Sequence, residues 1–156
     1  LAVAASLIAD PDLLLLDEPT AGLDPEERIL FRELLAEAMP GRLVVLSTHI
    51  VSDVERCCGR LAVLAAGRIR HQGTPASLVA AVEGAVWEAP VDAAEVDALT
   101  EDRRLVALRV VNRQPRARFV SATRPREDAV SVAATLEDAY VHLLSDSGLT
   151  LAQVDA

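Results

Sequence analysis

Two short, wholly apolar runs, Leu13 to Leu16 and Leu43 to Leu46, are separated by one helix-like segment. Neither run alternates with polar residues, which is the pattern of strands buried on both faces rather than half-buried ones. Between them, Asp24-Pro25-Glu26-Glu27 reads as a helix start. Asp24 suits the N-cap, Pro25 the first helical position, and Glu27 stands three residues after the cap. Ile29, Leu30, Leu34 and Leu35 then form an apolar stripe near helical period, and Pro40-Gly41 closes the segment. Strand, helix and strand within about 30 residues is the size of a right-handed parallel crossover. The expected fold class is therefore α/β, with a parallel sheet and flanking helices.

In such sheets ligands gather beyond the carboxyl ends of the strands. Asp17 and Glu18 follow the first run directly, and His49 lies just past the second. The pattern thus places two carboxylates and an imidazole on one edge of a sheet. Successive side chains on extended backbone point to opposite sides, so the two acids are expected to serve different targets, one a metal ion and one a water. A hard oxygen ligand suits Mg²⁺, which arrives with phosphates, and an adjacent glutamate can orient or deprotonate an attacking water.

The rest of the chain is read more coarsely. Leu1 to Ala9 has the pattern of a helix end, stopped at Asp10-Pro11. Ile50 to Cys57 reads as a helix, Leu61 to Ala65 and Ile69 to Gln72 as strands around an Ala66-Gly67 turn, and Thr74 to Val82 as a helix. After Gly84 the pattern becomes that of a small α+β extension. Strands are expected at Ala85 to Val91 and Leu105 to Val111, with a short helix at Asp92 to Leu99. Further strand is expected at Phe119 to Ala122 and Val130 to Ala133, then a helix over Thr135 to Leu144 and a frayed tail after Ser145. The domain boundary is placed at 83/84, giving 1–83 and 84–156.

Composition narrows the function classes. The 156 residues carry a net charge of −9 and no lysine, so all 15 basic side chains are arginine. That acidic balance argues against broad contact with nucleic-acid phosphates, and no nucleic-acid partner is expected. Arg113, Arg116, Arg118, Arg124 and Arg126 read as a solvated basic face among acids. Cys57 and Cys58 lack disulfide or metal spacing and read as helix-end packing residues. His71 and His142 read as structural, and Trp87 as core.

LLLLDEPTAGLD, followed by STH after an apolar strand, resembles the ATP-binding subunit of ABC transporters. The likeness runs from Leu1 to about Leu78, and GRIRHQGTPASL is similar to the segment that closes that family's catalytic domain. Leu13 to Glu18 matches its Walker B strand, Ala21 to Asp24 its D-loop and His49 its switch histidine. The resemblance implies part of a P-loop NTPase-type sheet that uses ATP and Mg²⁺. Asp17 would hold the metal, Glu18 would act as catalytic base, and His49 would contact the γ-phosphate. Asp24 would sit where two such subunits sandwich nucleotide, as a homodimer or heterodimer. The implied partner is a transmembrane permease, which places the subunit in the cytoplasm at the membrane face. The closing TLEDAYVHLL resembles the last helix of drug- or antibiotic-exporting ATPase subunits.

Two family elements have no counterpart here. The phosphate-cradling GxxxxGK[ST] loop needs a lysine, and no serine-glycine signature is present. Leu1 to Ala9 resembles the helix that follows that signature, so the chain is expected to be the C-terminal part of a longer subunit, inactive alone. Two other readings remain: a soluble ABC-type ATPase of DNA repair or translation, and an interaction module acting through 84–145.

Overall fold

The computed structural model describes residues 10–92, 94–99, 102 and 104–147. The expected N-terminal helix end and the tail beyond 147 lie outside the described residues. Close contacts divide the chain into two compact units, 1–58 and 59–156.

The first unit is the crossover. Strand β1 (Leu13–Asp17) leads to helix α1 (Pro25–Ala38), strand β2 (Leu43–Ser47) and helix α2 (Val51–Cys57). β1 and β2 pair in parallel, with Leu13 opposite Leu43 and Asp17 opposite Ser47. This register brings the two carboxyl ends level, so whatever follows each strand emerges at one rim. The start of α1 forms as its sequence dictates. Asp24 Oδ1 accepts from the Glu27 amide at 2.9 Å, and Glu27 Oε2 accepts from the Asp24 amide at 3.1 Å. This reciprocal cap is worth about 1 kcal/mol.

Burial in this unit corrects two expectations. Among the described residues, only one face of the strand pair is covered. Leu14 and Leu16 are buried with Phe31 and Leu35, whereas Leu15 is 68% exposed and Leu13, Leu43 and Val45 are exposed beside it. The inward face of α1 is carried by Phe31 and Leu35, four residues apart; Ile29, Leu30 and Leu34 are exposed. An unbroken apolar run marks residues suited to burial on two faces, but α1 covers only the side that holds Leu14 and Leu16.

The second unit opens with a hairpin, β3 (Leu61–Ala65) and β4 (Arg68–Gly73), antiparallel with a bulge at Val63/Leu64. Its turn residues Ala66 and Gly67 both have positive φ, which matches the right-handed twist of the flanking strands. Helix α3 (Pro75–Ala80) follows, capped by Thr74 and Ser77. A four-stranded antiparallel sheet comes next, in spatial order β6 (Leu105–Val111), β7 (Gln114–Val120), β5 (Val86–Pro90), β8 (Val130–Ser131). The short helix α4 (Val96–Leu99) lies between β5 and β6, and α5 (Leu136–Asp146) closes the unit.

Helix α3 packs on α5, and this contact places residues 59–83 in the same compact unit as the extension. The compact division therefore falls earlier in the chain than 83/84. Two expected elements are shorter than read, the helix at 92–99, of which α4 is described, and β8 with two residues; the strand expected at Phe119 to Ala122 instead begins at Gln114 and ends at Val120.

The core of this unit is closed. Val86, Ala89 and Ala117 are fully buried, with Phe119, Ala129, Ala139 and Leu144 nearly so. Trp87 packs against it and donates its indole N–H to the Ser121 carbonyl at 2.9 Å. Arg118 and Asp138 form a buried pair, and Arg118 also donates to the Ala133 carbonyl. The rest of the basic cluster is largely engaged: Arg116 pairs with Glu88, Arg126 with Glu95 and Asp128, and Arg124 donates to the Ala129 carbonyl. These contacts are those of a paired surface rather than an anion cradle. His71 faces Ser77 Oγ at 3.3 Å, and His142 faces Asp146 one turn along α5.

Candidate functional site at the rim of the parallel strands

Asp17 is the last residue of β1, opposite Ser47, the last residue of β2. The Ser47 hydroxyl donates to Asp17 Oδ1. Just past the strand, the Glu18 amide donates to the Ser47 carbonyl at 3.0 Å, extending the ladder by one bond. Glu18 then turns. Its φ is +43°, in the left-handed region that non-glycine residues rarely occupy. The alternation that governs an extended strand therefore stops at Asp17, and the direction of the Glu18 side chain is set by this turn.

The turn delivers Glu18 to the end of β2. Glu18 Oε1 lies 3.1 Å from the His49 backbone nitrogen, whose N–H it accepts, and 3.0 Å from His49 Nδ1. Its second oxygen, Oε2, is buried and makes no hydrogen bond among the described residues. One oxygen is thus held by His49, while the other is turned away from solvent in this conformation. Asp17, Glu18 and His49 share one rim, as their strand-end positions imply.

Asp17 is exposed, with one oxygen occupied by the Ser47 hydroxyl. A single hard carboxylate suits Mg²⁺, which usually keeps several waters and takes its other ligands from substrate phosphates. Among the described residues no group of three or more His, Cys, Asp or Glu side chains could hold a metal ion. Asp24 caps α1 at the far end of the loop that leaves Glu18, where Gly22 takes a φ of +76°.

Sequence reading missed four side chains around this rim. Ser47 was legible as part of STH, although not as the partner of Asp17. Thr20, Arg32 and Asp53 meet under the loop. Thr20 Oγ1 donates to Asp53 Oδ2 at 2.7 Å, and Arg32 donates to Asp53 Oδ1 at 3.2 Å. Thr20 and Asp53 are buried, at 2% and 3% exposure. Beside them, burial raises the Cys57 thiol pKa and Asp53 adds to the rise; burial also raises that of Cys58, helped by Cys57. Both thiols are thereby kept protonated and poorly nucleophilic.

Known proteins match this part of the chain. The family described as "AAA domain, putative AbiEii toxin, Type IV TA system" matches residues 1–52. An 80-residue stretch is 49% identical to Nod factor export ATP-binding protein I of Rhizobium leguminosarum bv. viciae, covering 51% of this chain and 26% of that protein. The same-named protein of Cupriavidus metallidurans is 46% identical over 80 residues, covering 51% and 26%. That of Paraburkholderia xenovorans is 42% identical over 85 residues, covering 54% and 28%. About half of this chain is homologous to ABC ATP-binding subunits. The chain spans about a quarter of the length of the curated relatives it matches. Together with the parallel strand pair, these matches are consistent with part of a P-loop NTPase. Among the described residues no helix is long and apolar enough to cross a membrane.

Proposed function

We propose that this chain carries the hydrolytic rim of an ABC-type ATPase subunit, with residues 1–83 as the part of the catalytic domain present and 84–156 as an accessory extension. The observation that carries the reading is the meeting of Glu18 and His49 at the strand ends: Glu18 Oε1 accepts the His49 N–H at 3.1 Å and lies 3.0 Å from its Nδ1. In this role the Glu18 carboxylate accepts a proton from a water that attacks the γ-phosphorus of ATP. The bond from that phosphorus to the bridging oxygen breaks, leaving ADP and inorganic phosphate. His49 donates to a γ-phosphate oxygen as charge develops there. Asp17 would hold Mg²⁺, directly or through water, and the ion would neutralise phosphate charge. Ser47 keeps the Asp17 carboxylate facing the rim.

The relatives' printed name concerns export, and on that basis the subunit works with a membrane permease at the cytoplasmic face and drives export. A second ATPase subunit completes the nucleotide sandwich, with Asp24 at their interface. Residues 1–156 alone lack a lysine-bearing phosphate loop, so they are expected to turn over ATP negligibly. Micromolar ATP affinity of this segment by calorimetry would contradict that expectation.

The test is Glu18→Gln in the full-length subunit. Glutamine preserves shape and removes the base, so turnover should fall by about 10²- to 10⁴-fold while ATP still binds. Near-normal turnover would remove Glu18 from the chemistry.

A further inference from the structure

Beneath the rim lies a buried polar cluster that the hydrolytic reading does not use. Asp53 is 3% exposed and receives two hydrogen bonds from different elements, the Thr20 hydroxyl and the Arg32 guanidinium. Thr20 stands two residues after Glu18, inside the turn closed by Ala21 N–H to the Glu18 carbonyl and Leu23 N–H to the Thr20 carbonyl. Asp53 stands four residues after His49, in the first turn of α2, where its own amide donates to the Ile50 carbonyl. Arg32 comes from the middle of α1. The apolar wall around them is Phe31, Leu46 and Cys57, enclosing a space of about 10 Å³, the room of a single water at most.

We infer that Asp53 is a positioning residue for the Glu18–His49 pair, acting through Thr20 with Arg32 as its counter-charge. The inference rests on the hydrolytic role proposed for Glu18. A carboxylate buried in apolar surroundings is unfavourable unless paired and hydrogen-bonded, and here both partners lie on the segments that must be held together. Glu18 occupies a strained backbone conformation, which persists only when its surroundings over-determine it. On one side the strand end supplies that constraint, through the Ser47 carbonyl. On the other side the Thr20–Asp53 bond supplies it, joining the Glu18 turn to the helix behind His49. Without it the turn can relax and the Glu18 carboxylate shifts from the line of attack, while Asp17 and Ser47 stay paired at the strand ends. The signature is therefore a loss in kcat without a matching change in KM.

The experiment uses the full-length subunit with Mg²⁺ and ATP, and follows kcat, KM and thermal stability. Thr20→Val keeps the shape and deletes the donor; it should lower kcat about ten- to hundred-fold with KM within about twofold. Thr20→Ser restores the hydroxyl and should recover most of the rate. Asp53→Glu keeps the charge for Arg32 but displaces the acceptor of Thr20, and should reproduce the kcat loss even if Thr20→Val proves unstable. Wild-type kcat in either Thr20→Val or Asp53→Glu overturns the inference, as does a loss in Thr20→Val that Thr20→Ser does not repair. Glu18→Gln run in parallel separates the two claims. Full turnover there sinks the hydrolytic reading itself, whereas an inactive Glu18→Gln beside a fully active Thr20→Val sinks the positioning role alone.

Discussion

The two compact units spend their apolar residues differently. In 59–156 the sheet and α5 enclose side chains of 0 to 1% exposure, among them Val86, Ala117, Phe119 and Leu144. In 1–58 the strand pair buries Leu14 and Leu16 and leaves Leu13, Leu15, Leu43 and Val45 exposed on its other face. The first unit carries the candidate chemistry, and the second carries the closed core. Substitutions at the rim of the first unit should act mainly on turnover, and those in the buried cluster of either unit mainly on folding.

The Arg118–Asp138 pair gives the largest expected effect on stability. Asp138→Ala strands a buried guanidinium and removes the Thr135 cap contact, and should destabilise the chain by about 3 to 5 kcal/mol in chemical denaturation. An effect below about 1 kcal/mol would break the comparison, because the closed core would then not depend on the buried Arg118–Asp138 pair.

Leu14 and Leu15 sharpen it within a single strand. Leu14→Ala should cost about 2 to 5 kcal/mol, and Leu15→Ala within about 0.5 kcal/mol. Equal losses from these neighbours would show that the exposed face is covered in solution.

Acid should act on the second unit through Asp138. Burial pushes its carboxyl pKa up, but hydrogen bonds from Arg118 and Thr135 outweigh that and hold it below the usual carboxylate range. A depressed folded pKa contributes stability present above the unfolded value, near 3.9, and lost as pH falls through the folded one. Wild type should therefore lose stability through acid pH more steeply than Asp138→Asn. Parallel pH profiles would remove Asp138 as the source. A modest effect is expected at Asp24, where Asp24→Ala should cost about 1 kcal/mol through the lost cap of α1, measurable as a shift in the denaturation midpoint.

What the sequence revealed depended on how local the cause was. The Asp24–Glu27 box and the Ala66-Gly67 turn are set within four residues and were readable directly. The meeting of Glu18 and His49 followed from the parallel crossover, because two strands of equal register end level. Burial faces were less legible. Phe31 faces the core where Ile29, Leu30 and Leu34 had the apolar spacing, since the packing of α1 on the strands, not apolar content, decides the inward side. Thr20 and Asp53 stand 33 residues apart, and Arg118 and Asp138 stand 20 apart. Neither pair leaves a periodic trace, so only the fold discloses them.

The central claim is that Glu18 and His49 act as one unit on one nucleotide, and a double-mutant cycle on ATP turnover tests it most directly. In the full-length subunit, Glu18→Gln and His49→Ala should each slow turnover strongly, and the double variant should be scarcely slower than the worse single one, because members of one catalytic unit are far from additive. Losses that multiply in the double variant would show two independent sites and contradict the account.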